Sequence, residues 1–188
     1  MSSALDGSSK GITFFQWMIL GTLTLTSTLY AMSMTIANIA LPQLQGALGA
    51  TQDQIAWTVT FNIIGTAIVT PMTGWLTLRF GQRRLMLCAI FGFATSSILC
   101  GQANALPELV IYRVFQGAFG GPLVPLSQAI ILGVFPRQLH SFATAVWGMG
   151  VVCGPIIGPT VGGYISEAYS WRWIFYIIAP FSLLAFLG

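Results

Sequence analysis

Six stretches of the chain are apolar for about as long as a helix needs to cross a membrane: 15–41, 54–78, 85–103, 107–135, 141–166 and 171–187. Roughly 20 apolar residues in helical form span the ~30 Å of hydrocarbon in a bilayer. Within lipid each backbone N–H and C=O must find its partner inside its own segment, so such runs fold as helices. No alternating strand pattern bounded by hairpin turns competes with them. The expected architecture is an all-α membrane protein with six transmembrane helices over 14–188, preceded by a polar, Gly/Ser-rich tail at 1–13. The chain stops at Gly188, at or inside the end of the sixth run. That reads as a bundle truncated before a further half.

The rest of the composition excludes most alternatives. Only 6% of the residues are charged and 55% are hydrophobic, against about 25% charged in a soluble domain. The first run is longer than a signal-peptide core and no small-residue cleavage site follows it. Lys10, Arg79, Arg83, Arg84 and Arg137 fall at the N-terminus, the second-to-third and the fourth-to-fifth connections, and the opposite connections hold only Arg172. By the positive-inside rule the N-terminus is cytoplasmic, and six crossings return the C-terminus there. The net charge of +3 is therefore a topology signal and not a nucleic-acid footprint. Cys88, Cys100 and Cys153 lie in apolar runs without metal-ligand spacing and read as packing residues. The single histidine, His140, sits beside Arg137 in a polar connection. No phosphate-cradling glycine loop, metal cluster or paired acids are present, so no enzymatic activity and no cofactor is expected.

A faint repeat recurs at an offset of about 88 residues: Pro71 matches Pro159, Gly74 matches Gly162, and Arg84 matches Arg172. Three crossings lie between the copies, which places them on opposite sides of the membrane. This is the signature of a 3+3 inverted-topology repeat.

Three helices carry unusual residues. In the fifth, Gly150, Gly154, Gly158 and Gly162 recur every four residues, with Gly163 following. They form a smooth stripe where another backbone approaches closely, and Pro155 and Pro159 beside it favour bending. The stripe is a packing seam, and in a transporter it would also be a gate. In the fourth, Arg113, Gln116, Gly117 and Gly120 share a face. An arginine inside an apolar helix is costly. It either snorkels to the interface or faces the bundle interior, where carbonyls, Asn38, Gln116 or water would offset its charge beside helix one. In the first, Tyr30, Ser33 or Met34, and Asn38 share a face that should meet a cavity or another helix, whereas the many threonines can bond their own backbone. The turn Gly74–Arg84, with Arg79, Gly81 and Arg83, is a basic cytoplasmic anchor and a candidate conformational latch.

Taken together these motifs resemble the major facilitator superfamily, most closely its EmrB-type branch of drug:proton antiporters with fourteen predicted spans. The similarity rests on Thr35-Ile-Ala-Asn-Ile-Ala-Leu-Pro42, the turn Gly74–Arg84, Arg113-Val-Phe-Gln-Gly117, Gly121-Pro-Leu-Val-Pro-Leu-Ser-Gln128, the segment Gly150–Gly163 and Trp171-Arg-Trp-Ile-Phe175. The resemblance implies an N-terminal bundle facing an absent C-terminal half of six to eight helices, with a substrate cavity between them lined by helices one and four and parts of two and five. It implies multidrug efflux from a bacterial cytoplasmic (inner) membrane, small amphipathic substrates, surrounding membrane lipid, and partnership with a periplasmic adaptor and an outer-membrane channel. Two departures stand out. Ser33 occupies the position where the branch carries an acid, and Leu78 replaces the acid or polar residue of the turn motif. Without the first acid, proton coupling would have to use Arg113 with water or acids elsewhere. An uncoupled transporter of a specific metabolite and a non-transporting half-transporter remain the competing readings.

Overall fold

A computed structural model of the chain describes residues 12–187, and the expected polar tail lies almost wholly outside the described residues. The helices are α1 (Phe14–Leu48), α2 (Gln52–Phe80), α3 (Gln82–Gln102), α4 (Leu106–Gly120), α5 (Leu123–Val134), α6 (His140–Ala168) and α7 (Trp171–Leu187), with one 3-10 turn, Arg137–Leu139. No strand occurs among the described residues.

Helix ends differ from the apolar runs for local reasons. The first run stops before Pro42, but α1 continues through it to Gly49, whose left-handed φ of 60° closes the helix. A proline costs one internal hydrogen bond, which neighbouring helices can offset in a membrane bundle. α2 starts at a capping box in which Thr51 accepts from the Gln54 amide and Gln54 answers the Thr51 amide. The basic turn proves to be one residue long. α2 ends at Phe80, α3 begins at Gln82, and Gly81 (φ 82°) makes the reversal between them, so Arg79, Arg83 and Arg84 are all helical and exposed.

The fourth run is read from sequence as one helix, and the structure breaks it into α4 and α5 at Gly121-Pro122. Both residues keep right-handed helical angles, so the chain continues across the membrane. The cause is the pair Pro122 and Pro125, whose rings remove the amides that would reach the carbonyls of Ala118 and Gly121.

Packing follows a regular scheme. α1 lies chiefly on α6, α2 on α4, and α3 on α7. Exchanging the first three crossings with the last three maps this scheme onto itself, as an inverted repeat requires. One core centres on Leu20, Tyr30, Phe93, Leu126, Ile131 and Ile178, and a second on Ile36, Leu44, Leu109, Ile174 and Phe175. α2 and α6 leave most of their apolar surface uncovered, including Trp57, Phe61, Ile68 and Trp75 on α2 and Val152, Ile156 and Tyr164 on α6. So much exposed apolar surface belongs against lipid or another protein.

Candidate functional site

Arg113 is the largest fully buried side chain in the bundle, at 1% exposure. Placing it on the inner face of α4, one turn before Gly117, commits its guanidinium to the space between α2, α3 and α7. Its Nε donates to the Thr58 carbonyl of α2 at 3.1 Å, and Nη1 donates to Gln116 Oε1. Gln116 is fixed in turn: its Nε2 donates to Ser97 Oγ on α3 at 2.8 Å, and Ser97 donates to the Phe93 carbonyl at 2.8 Å. The Phe175 ring of α7 lies 5.8 Å from the guanidinium carbon, a cation–π arrangement that suits a desolvated charge. Arg113 Nη2 and Asn62 Oδ1 are buried with no hydrogen-bond partner among the described residues.

The expected partners are only partly those found. Gln116 and a backbone carbonyl bind Arg113, but Asn38 does not. Asn38 is exposed on α1 and its Nδ2 donates to the Met34 carbonyl of its own helix at 3.2 Å. The buried asparagine is Asn62, whose Nδ2 donates to the Arg113 carbonyl at 2.9 Å. The guanidinium is buried, held by the Thr58 carbonyl of α2, Gln116 of α4 and the Phe175 ring of α7. Tyr30 and Ser33 are buried. The Tyr30 hydroxyl meets Thr66 Oγ1 at 3.1 Å and its ring packs edge-on to Phe93, while Ser33 donates to the Tyr30 carbonyl at 2.7 Å. Tyr30 thus reaches the Arg113 region through Thr66, and Ser33 and Asn38 remain on α1.

Asn62 heads a ladder that the sequence reading missed. Asn62, Thr66 and Thr70, spaced by four on α2, reach the carbonyls of Arg113, Gly117 and Gly121, spaced by four on α4, at 2.9, 3.1 and 3.4 Å, with the two threonine protons shared with own-helix carbonyls at 3.1 Å (Asn62) and 2.8 Å (Thr66). The Gly121 carbonyl is one that Pro125 leaves without an amide donor. The helices approach so closely that a Cβ on Gly117 would collide with the Asn62 carbonyl, and one on Gly65 with the Val114 carbonyl.

The fifth-crossing stripe packs on α1. A Cβ on Gly154 would lie 2.7 Å from the Thr28 carbonyl, and one on Gly162 3.1 Å from Ile36. Gly150 faces Thr24 and Gly158 faces Thr35. Pro155 is exposed and Pro159 half-buried on the flank of an unbroken helix. Gly163 and Gly74 have open space where a Cβ would stand. A side-chain bond also joins α6 to α1: Trp147 Nε1 of α6 donates to Ser27 Oγ at 3.1 Å, and Ser27 donates to Ser127 Oγ of α5 at 3.1 Å.

This helical scheme is similar to solved transporters. It superposes on a D-xylose-proton symporter with a TM-score of 0.80 at 20% identity, over 91% of this chain and 47% of that one. It also superposes on an inward-facing bacterial homolog of the human lysosomal transporter Spinster with a TM-score of 0.80 at 18% identity, covering 94% and 43%. In sequence the chain is 45% identical over 161 residues to the multidrug export protein EmrB of Haemophilus influenzae, covering 86% of this chain and 32% of the relative. It is 41% identical to the EmrB of Escherichia coli, covering 88% and 32%, and 41% identical to the fatty acid resistance protein FarB of Neisseria gonorrhoeae, covering 80% and 30%. The chain therefore spans about a third of the length of these relatives. Its residues 23–188 match the family model of the Major Facilitator Superfamily, and with its bundle of apolar helices the chain is a multi-pass membrane protein belonging to that superfamily.

Proposed function

We propose that this chain is the N-terminal bundle of a secondary exporter of amphipathic small molecules, driven by proton antiport in a bacterial inner membrane. The observation that carries the reading is identity above 40% to two export proteins over nearly the whole chain. The second half, the substrate cavity between the halves, and an adaptor and outer-membrane channel follow from the same relationship. The basic residues Arg79, Arg83, Arg84 and Arg137 support a cytoplasmic location for the ends of α2 and α5. Asn38, exposed on α1, would meet substrate. Arg113 and Gln116 would act from behind, by setting the positive potential of the bundle interior.

One observation favours a second reading, transport without proton coupling. Ser33 has no titratable group, and its hydroxyl is spent on its own helix. The acids Asp53, Glu108 and Glu167 are exposed at helix ends. Coupling must then come from Arg113 with water or from the rest of the transporter.

Everted vesicles holding the full-length transporter separate the two. Coupled export predicts uptake of an amphipathic dye that collapses with the proton gradient. Arg113→Ala should abolish gradient-dependent uptake while protein remains in the membrane. Arg113→Lys should transport poorly, because the planar fork that serves Thr58 and Gln116 together is lost. Undiminished gradient-driven uptake by Arg113→Ala would falsify the assigned role, and gradient-independent uptake by the wild type would favour the uncoupled reading.

A further inference from the structure

We propose that the flank formed by α1, α3 and α7 carries a binding site for one anionic phospholipid of the leaflet on the α2–α3 turn side. A groove of about 490 Å³ runs along this flank. Its walls are Phe15 and Ile19 of α1, Met86 and Ile90 of α3, and Phe186 of α7, and Arg83 with Gln82 stands at its mouth. From Arg83 to Ile90 the groove follows α3 for seven residues, about 10 Å of helix rise.

The arrangement is that of an amphiphile's complement. Apart from Thr22 of α1 the interior is apolar side chain, and the one charged group in the lining is a cation at the end where α3 leaves the hydrocarbon. Arg83 is exposed, and a free guanidinium matches a phosphate through paired N–H donors. The cytoplasmic leaflet is where anionic lipid concentrates and where basic residues close to a membrane end gain most. The orientation argued above puts this mouth in that leaflet. None of the lining residues belongs to α2 or α6, whose bare apolar faces suit a second bundle, so the groove opens to lipid. The proposal does not depend on what the transporter carries.

Native mass spectrometry of the full-length transporter, taken from nanodiscs of phosphatidylcholine containing a minor fraction of phosphatidylglycerol, tests it. The expected result is one retained phosphatidylglycerol. Arg83→Gln should lower its retention about fivefold, the factor one basic side chain contributes at an anionic surface. Ile19→Trp, which fills the groove and keeps Arg83, should lower it as much, and Arg84→Gln, outside the groove, should not. Equal retention of phosphatidylcholine, or full retention in Ile19→Trp, overturns the proposal. So does the absence of any retained lipid from the wild type, which would mean that another segment of the transporter fills the groove.

Discussion

Two seams hold this bundle together, and they are built from opposite materials. Along α2·α4, Asn62, Thr66 and Thr70 of α2 reach across to carbonyls of α4. Along α1·α6 the contact is as tight, with Gly154 against the Thr28 carbonyl, yet the threonine hydroxyls of Thr28 and Thr35 on α1 bond their own helix. Thr28 donates to the Thr24 carbonyl at 2.7 Å and Thr35 to the Met32 carbonyl at 3.0 Å. The two seams occupy matching places in the repeat: 62, 66 and 70 plus 88 give 150, 154 and 158. The first copy holds donors at these positions and the second holds glycines. In lipid, where apolar association gains nothing from expelling water, packing and interhelical hydrogen bonds carry helix pairing. A seam crossed by several such bonds is a clamp, and one crossed by the Trp147–Ser27 bond with packing along the rest of its length can shift more cheaply. We therefore expect α2·α4 to stay fixed during transport and α1·α6 to be the contact that gives.

Substitutions can break this contrast, and the largest effect belongs to the clamp. Gly117→Leu drives a side chain into the Asn62 backbone and separates the donors from their carbonyls. It should cost about 3 kcal/mol, the upper end of overpacking, measured by unfolding of the purified full-length transporter in mixed micelles. Gly154→Ala adds one methyl 2.7 Å from the Thr28 carbonyl. Because the Thr28 hydroxyl bonds its own helix and gives α6 nothing to lose at this point, about 1 kcal/mol is expected in the same assay. A larger loss at Gly154 than at Gly117 would reverse the assignment of clamp and sliding seam. Thr66→Val keeps the shape and removes the bond to the Gly117 carbonyl and the partner of Tyr30. The expected loss is about 0.6 kcal/mol, the mean for an interhelical bond in a membrane protein. Thr28→Val removes a hydroxyl that serves only its own helix. It should stay within about 0.5 kcal/mol of wild type, and a Thr28 effect matching that of Thr66 would mean that α1·α6 carries hidden polar contacts.

The sequence made one seam plain and hid the other. Glycines at 150, 154, 158 and 162 announce a close approach because nothing else explains a four-residue glycine period on an apolar helix. Asn62, Thr66 and Thr70 have the same period, but membrane threonines usually bond their own carbonyls, as Thr60 and Thr77 do here and as Thr66 and Thr70 do in addition to reaching α4, so their spacing is mute without the facing helix. The 88-residue repeat held the missing clue, since it aligns those three residues with the glycine stripe. As a partner for Arg113, Asn38 misled for the converse reason. A polar side chain in a span calls for a partner, and its own helix supplied one at Met34. Arg113 was legible as a buried charge, but its companions on α2, α3 and α7 are distant in sequence, and no periodicity on α4 points to them. The break at Gly121-Pro122 escaped because hydropathy is blind to a missing amide.

One consequence concerns the length of α1. Its 35 residues extend about 52 Å at the usual rise, far beyond the ~30 Å of hydrocarbon, and its backbone meets α6 at Thr28, between the two ends. Such a rod is a lever with its fulcrum inside the membrane. A tilt of about 10°, within the range of known domain rotations, would swing Phe14 by about 4 Å and Leu48 by about 5 Å in opposite directions. The width of a passage at one membrane surface and its closure at the other would then be a single degree of freedom. The fulcrum's position along the rod would set the ratio of the two openings.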